Sequence, residues 1–137
     1  MKQKNKIQLV ASKNCVTQAI KQMEQRLSSN EIYQNQKGKI HIILDEILSN
    51  ISKFAYPSGA GKIIVYFKII HRKSILKLCF VDWGISFNPL NRPFPDIETS
   101  VEDKQIGGLG IYMVLKLAKQ VKYKRRFFKN ILCIKIG

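Results

Sequence analysis

Between Ile40 and Ala55 the apolar residues Ile40, Ile43, Leu44, Ile47, Ile51, Phe54 and Ala55 recur at three- and four-residue steps. That spacing makes one buried face of a helix and demands a second layer to cover it. Pro57, followed by Ser58 and Gly59, ends the helix. Beside the apolar face stand Asp45, Glu46, Ser49 and Asn50. Glu46 and Asn50 are four residues apart, so their side chains point the same way. On this helix alone, a solvated i,i+4 pair accounts for them as well as a ligand does.

The rest of the chain supplies the covering layer. Lys6 to Val10 alternates as a short strand, and Ser12 or Asn14 can cap the helix marked by Val16, Ala19, Ile20, Met23 and Leu27. The polar stretch Glu31 to Gly38 reads as a connection. Lys62 to Ile70 and Ser74 to Val81 are rich in β-branched and aromatic residues and flank Arg72-Lys73, as in an antiparallel hairpin. A third amphipathic helix follows Gly107-Gly108-Leu109-Gly110, carried by Ile111, Val114, Leu115 and Ala118. Strands around Val121 to Arg126 and Ile131 to Ile136 close the chain, with Lys129-Asn130 as their turn. Phe54 is expected in the core. The order β-α-α-β-β-loop-α-β-β implies a two-layer α/β sandwich: a mixed, mainly antiparallel sheet with helices on one face. At 137 residues this is one domain spanning 1–137.

Composition excludes several classes. No apolar run approaches the ~20 residues that span a bilayer, and the basic N-terminus lacks a signal-peptide core. A cytoplasmic protein without membrane contact is the expectation. Cys15, Cys79 and Cys133 are odd in number and form no CxxC, which suggests three reduced thiols. His41 and His71 have no metal-ligand spacing. The net charge of +15 welcomes an acidic or phosphorylated partner. Yet lysine is spread along the whole chain, and no nucleic-acid module is recognisable, so direct nucleic-acid binding is not expected.

Three patches carry candidate chemistry. Glu46 and Asn50 share a helix face. Asp82-x-Gly84 lies where a strand runs out, a place for a carboxylate to accept a hydrogen bond from an amine while a flat ring approaches the glycine. Gly107 to Gly110 opens a helix, where backbone N–H groups can meet phosphate oxygens. Each alone is commonplace. The segment Ile85 to Ile106, with three prolines and no sustained period, is long for an idle loop. There is no GxxxxGK[ST], and no strand directly precedes the glycines in a βαβ unit, so neither the P-loop nor the dinucleotide fingerprint applies.

In this order the patches resemble the ATP-binding domain of the GHKL (Bergerat-fold) superfamily, and within it the anti-sigma-factor serine/threonine kinase branch. EILSNISKFAYP (46–57) resembles the N box, VDWGISFNP (81–89) the G1 box and IGGLGIYMV (106–114) the G2 box. The resemblance implies that Asn50 ligates Mg²⁺ and that Glu46 is the general base. It implies that Asp82 and Gly84 hold adenine, and that Gly108, Leu109, Gly110 and Lys104 lie at the ATP phosphates beneath a lid of about 91–106. The implied activity is transfer from ATP to serine on a STAS-type anti-anti-sigma protein, by a homodimer that also sequesters a sigma factor. The sequence departs from the pattern in three places: Phe54 replaces a common His, Ser86 replaces the second G1 glycine, and Lys119 to Lys122 replaces an acidic segment. A non-catalytic, ATP-gated binding module is the alternative. A histidine-kinase fragment fits less well, since no helix bearing a phosphorylatable His precedes the domain.

Overall fold

A computed structural model describes residues 5–91 and 108–137. Strand β1 (Lys6–Val10) leads into helices α1 (Cys15–Leu27) and α2 (Glu31–Asn50), the hairpin β2 (Lys62–Ile70) and β3 (Ile75–Asp82), helix α3 (Gly108–Leu117), and the hairpin β4 (Gln120–Arg126) and β5 (Lys129–Ile136). The five strands form one sheet in the order β1-β2-β3-β5-β4, antiparallel throughout. The expected two-layer α/β sandwich is present, without the parallel pairs that a mixed sheet would have.

Alternation along the strands sorts the two faces. Ile7, Leu9, Ile63, Val65, Phe67, Leu76, Leu78, Phe80, Leu132 and Ile134 point into the core, where they meet Ala19, Met23, Ile40, Ile43, Leu44 and Ile47 of the helices. The opposite face is open and carries lysines at alternate positions. Its register sets Lys68 against Lys77, Lys77 against Lys135, and Lys122 against Cys133.

Four expectations need correction. Glu31 to Gly38 is helical: the Asn30 side chain accepts a hydrogen bond from the Tyr33 amide at 2.9 Å and starts α2 one residue later. The buried Tyr33 ring anchors this first stretch, its hydroxyl donating to Glu24 of α1 at 2.6 Å. Second, Cys79 and Cys133 are register partners on β3 and β5 and form a disulfide, so Cys15 is the free thiol. They are 54 positions apart, and only the strand register brings them together.

Third, the last hairpin turns at Phe127-Phe128, both residues at positive φ (51° and 63°); Lys129 and Asn130 belong to β5. Fourth, Phe54 is only half-buried and stacks on Phe87 at 5.0 Å between centroids. Its displacement follows from the chain widening into a π-helical turn at Ile51–Ala55, immediately after Asn50.

Candidate functional site

The C-terminal half of α2 sets Glu46 and Asn50 side by side at the border of its buried stripe, both half-buried. Burial raises the Glu46 carboxyl above its ordinary range, with the neighbouring Asp45 charge adding to the effect and Lys53 opposing it. Opposite Glu46 lies the first turn of α3. A methyl group on Gly110 would overlap the Glu46 carboxylate, so the glycine is what lets α3 open against the acid. The Asn50 Nδ2 is buried with no hydrogen-bond partner. A buried amide N–H without a protein partner marks a place for a hydrogen-bond acceptor.

Asn50 and Asp82 line one small cavity, with Phe80, Phe87, Pro89, Tyr123 and Asn130 around it. Its free volume of about 10 Å³ holds at most a single water and is too small for a purine. Asp82 is 2 % exposed, and burial raises its pKa. Asn130, the Gly84 amide and the Arg125 charge pull the other way.

Among the described residues both of its hydrogen bonds fall on Oδ1: from the Gly84 amide at 2.9 Å and from Asn130 Nδ2 at 2.8 Å. Oδ2 is left for an incoming donor. Gly84 packs against the π-helical turn so closely that a methyl group would overlap the Ala55 carbonyl oxygen. Tyr56 braces the same corner, donating to the Lys62 carbonyl and accepting from the Trp83 amide, each at 2.7 Å.

Asn130 is the functional residue that the sequence reading missed. It is 3 % exposed; its Nδ2 donates to Asp82 and to the Ile85 carbonyl, both at 2.8 Å. Its Oδ1 accepts from the Phe87 amide at 3.2 Å and the Tyr123 hydroxyl at 2.5 Å. One side chain thus ties the strand-end acid to the segment after it. Arg125 adds a bond to the Gly84 carbonyl at 2.8 Å. The signal available in the sequence was the alternation of Leu132, Ile134 and Ile136, which extends back to Asn130 on the same face.

The candidate residues therefore form a continuous line: Gly110 against Glu46, Glu46 one turn from Asn50, Asn50 across a cavity from Asp82, and Asp82 bonded to Gly84. Gly108 opens α3. Lys104, the Leu109 side chain and the lid apart from Asn91 lie outside the described residues. Among the described residues no group of three or more His, Cys, Asp or Glu could hold a metal. A hard cation here would instead take the Asn50 amide oxygen, with phosphates and water completing its shell; the unpartnered Nδ2 is a donor and would suit a phosphate or water oxygen beside it.

Residues 9–136 match the family described as "Histidine kinase-like ATPase domain". The chain belongs to that family. Among solved structures it is similar to the histidine kinase domain of the blue-light activated histidine kinase from Erythrobacter litoralis EL346. The TM-score is 0.52 at 15 % identity, covering 72 % of this chain and 43 % of the other. At that identity the likeness is one of fold, and this chain spans less than half of that structure's length. No curated protein matches the sequence. Membership carries ATP as the nucleotide.

Proposed function

We propose that the protein is an ATP-dependent serine/threonine kinase of the anti-sigma-factor type, with a STAS-type anti-anti-sigma protein as substrate. The observation that carries this reading is Glu46: a half-buried carboxyl of raised pKa, one turn from Asn50 and against the opening of α3. Nucleotide binding needs Asn50, Asp82 and the glycines; it has no use for a proton acceptor at Glu46. In the proposed reaction a serine hydroxyl attacks the γ-phosphorus of ATP. Its proton passes to Glu46, the phosphoanhydride bond breaks, and ADP leaves. Mg²⁺ held by Asn50 would neutralise phosphate charge during transfer. Asp82 Oδ2 accepts from the adenine amino group, and Gly84, packed against the Ala55 carbonyl, holds that acid's corner in place. Homodimer assembly and binding of a sigma factor belong to the same proposal and rest on the resemblance of the three boxes.

Incubation with Mg-ATP and a STAS-type protein tests this. Acid-stable phosphoserine formed by the wild type and lost in Glu46→Gln supports it. An acid-labile phosphohistidine product, or undiminished transfer by the variant, refutes it. Tight ATP binding that alters partner affinity without any transfer would select the alternative, a nucleotide-gated binding module.

A further inference from the structure

Strands β1 and β3 end, and β2 begins, at the same edge of the sheet that carries the β4–β5 turn. The register sets Val10 against Lys62, Ile63 against Asp82, Asp82 against Asn130, and Arg126 against Lys129. Of the eight large apolar side chains exposed among the described residues, five gather here: Val10, Trp83, Ile85, Phe127 and Phe128. Cations are interleaved with them. Lys62 Nζ sits 4.5 Å and Lys129 Nζ 5.9 Å from the Trp83 ring centroid, and the Arg126 guanidinium lies 4.9 Å from that of Phe127. Asp82, the acid of this row, is buried.

The turn itself is unusual. A two-residue hairpin turn with both positions at positive φ favours Asn-Gly, because a bulky Cβ is strained there. This chain places phenylalanine at both positions and leaves the rings 73 % and 82 % exposed, so no burial within the protein offsets the strain. A conformation unfavourable to the fold whose rings stay mostly exposed points to a contact outside the chain.

We propose that this end of the sheet docks on an anionic lipid bilayer. Phe127 and Phe128 enter the headgroup layer, Trp83 sits at its surface, and Lys62, Arg126 and Lys129 meet lipid phosphates. The two rings sit in the turn beyond the last strand pair and are mostly exposed, and cations flank the exposed aromatics, which suits a surface that is apolar within and anionic at its face. Aliphatic Val10 and Ile85 contribute to lipid contact and would contribute nothing to base stacking, which separates this occupant from a single-stranded nucleic acid. The attachment is peripheral: no described helix is long and apolar enough to cross a membrane. The expectation of no membrane contact rested on the lack of a spanning segment, which does not bear on surface attachment.

The test is co-sedimentation with phosphatidylcholine vesicles made with and without phosphatidylglycerol, together with the emission of Trp83, the single tryptophan. Binding to the anionic vesicles only, with a blue shift of Trp83, is expected. The double variant F127N/F128G installs the favoured turn, so it folds, and its vesicle affinity should fall about tenfold or more. Wild-type protein that stays in the supernatant with anionic vesicles overturns the proposal. So does equal binding to neutral vesicles, or undiminished binding by the variant. Tight binding of an oligothymidine that depends on the two phenylalanines, in place of vesicle binding, overturns it in favour of nucleic acid.

Discussion

Asn130 Nδ2 stands 2.8 Å from Asp82 Oδ1, across a pair of residues in direct register on β3 and β5. A neutral amide thus holds one oxygen of a buried acid and leaves the other free. The same amide fixes Ile85, Phe87 and Tyr123, so the Asp82 end of the candidate site is set from the last strand as much as from the strand that bears the acid.

Asn130→Ala should therefore damage fold and site together. It takes a buried partner from the Phe87 amide, the Tyr123 hydroxyl and the Ile85 carbonyl, and leaves Asp82 Oδ1 with the Gly84 amide alone. A loss of about 2–4 kcal/mol in urea unfolding is expected, along with weaker nucleotide binding by calorimetry.

Asp82→Asn should separate the two. The folded-state pKa of Asp82 is raised from 3.8, so the native chain binds this proton more tightly than the unfolded chain does. The stability conferred by protonation is present below 3.8 and is lost as pH rises through the raised value. Asparagine keeps an Oδ1 to accept both hydrogen bonds and removes the charge. The variant should be at least as stable as wild type at pH 7, and its unfolding should lose this acid-range pH dependence. Its nucleotide affinity should fall nonetheless.

For Glu46 the raised pKa predicts a phosphoryl-transfer rate that climbs with pH through a value above the ordinary 4.5. Glu46→Gln should lower the rate about 10²–10⁴-fold while leaving ATP binding nearly unchanged. Single-turnover transfer measured from acid to neutral pH checks both statements.

Two glycines should differ in kind. Gly84→Ala drives a methyl group into the Ala55 backbone carbonyl, which cannot swing aside, and should cost about 1–3 kcal/mol in urea unfolding. Gly110→Ala presses instead on the Glu46 carboxylate, the far end of a flexible side chain. Stability should hold there while transfer drops.

The helix pair carries its own pH signal. Tyr33 OH lies 3.0 Å from His41 Nε2, and burial of His41, with Lys37 nearby, lowers its pKa from 6.5 against the opposing charge of Glu24. The unfolded chain then takes up the proton first as pH falls through 6.5. Stability should decline in that window, and His41→Gln should flatten the decline in urea titrations at a series of pH values.

Period and strand chemistry were enough to read the second half of α2, the β2–β3 hairpin and the strands of the last hairpin, because each rests on local spacing. Misreadings arose where tertiary contacts override local preference. Asn130 has turn chemistry, and Phe127-Phe128 looks like strand, yet the register with β3 puts the asparagine beneath Asp82 and the two rings in the turn. Glu31 to Gly38 is polar enough to pass for a loop; the Asn30 cap and the Tyr33–Glu24 bond make it helix. Phe54 keeps the helical period on paper, and the π-helical turn rotates it away from the core. The Cys79–Cys133 link depends on register alone.

Strand β4 bounds the sheet on one side with Lys122, Lys124, Arg125 and Arg126 in a run of seven residues. A second β4 brought alongside would set like charges against each other, so this border resists lateral growth into extended β assemblies. The opposite border, β1, has only Lys6 in its five residues. Any pairing of two copies strand to strand is directed there, away from the hairpin that carries Asn130.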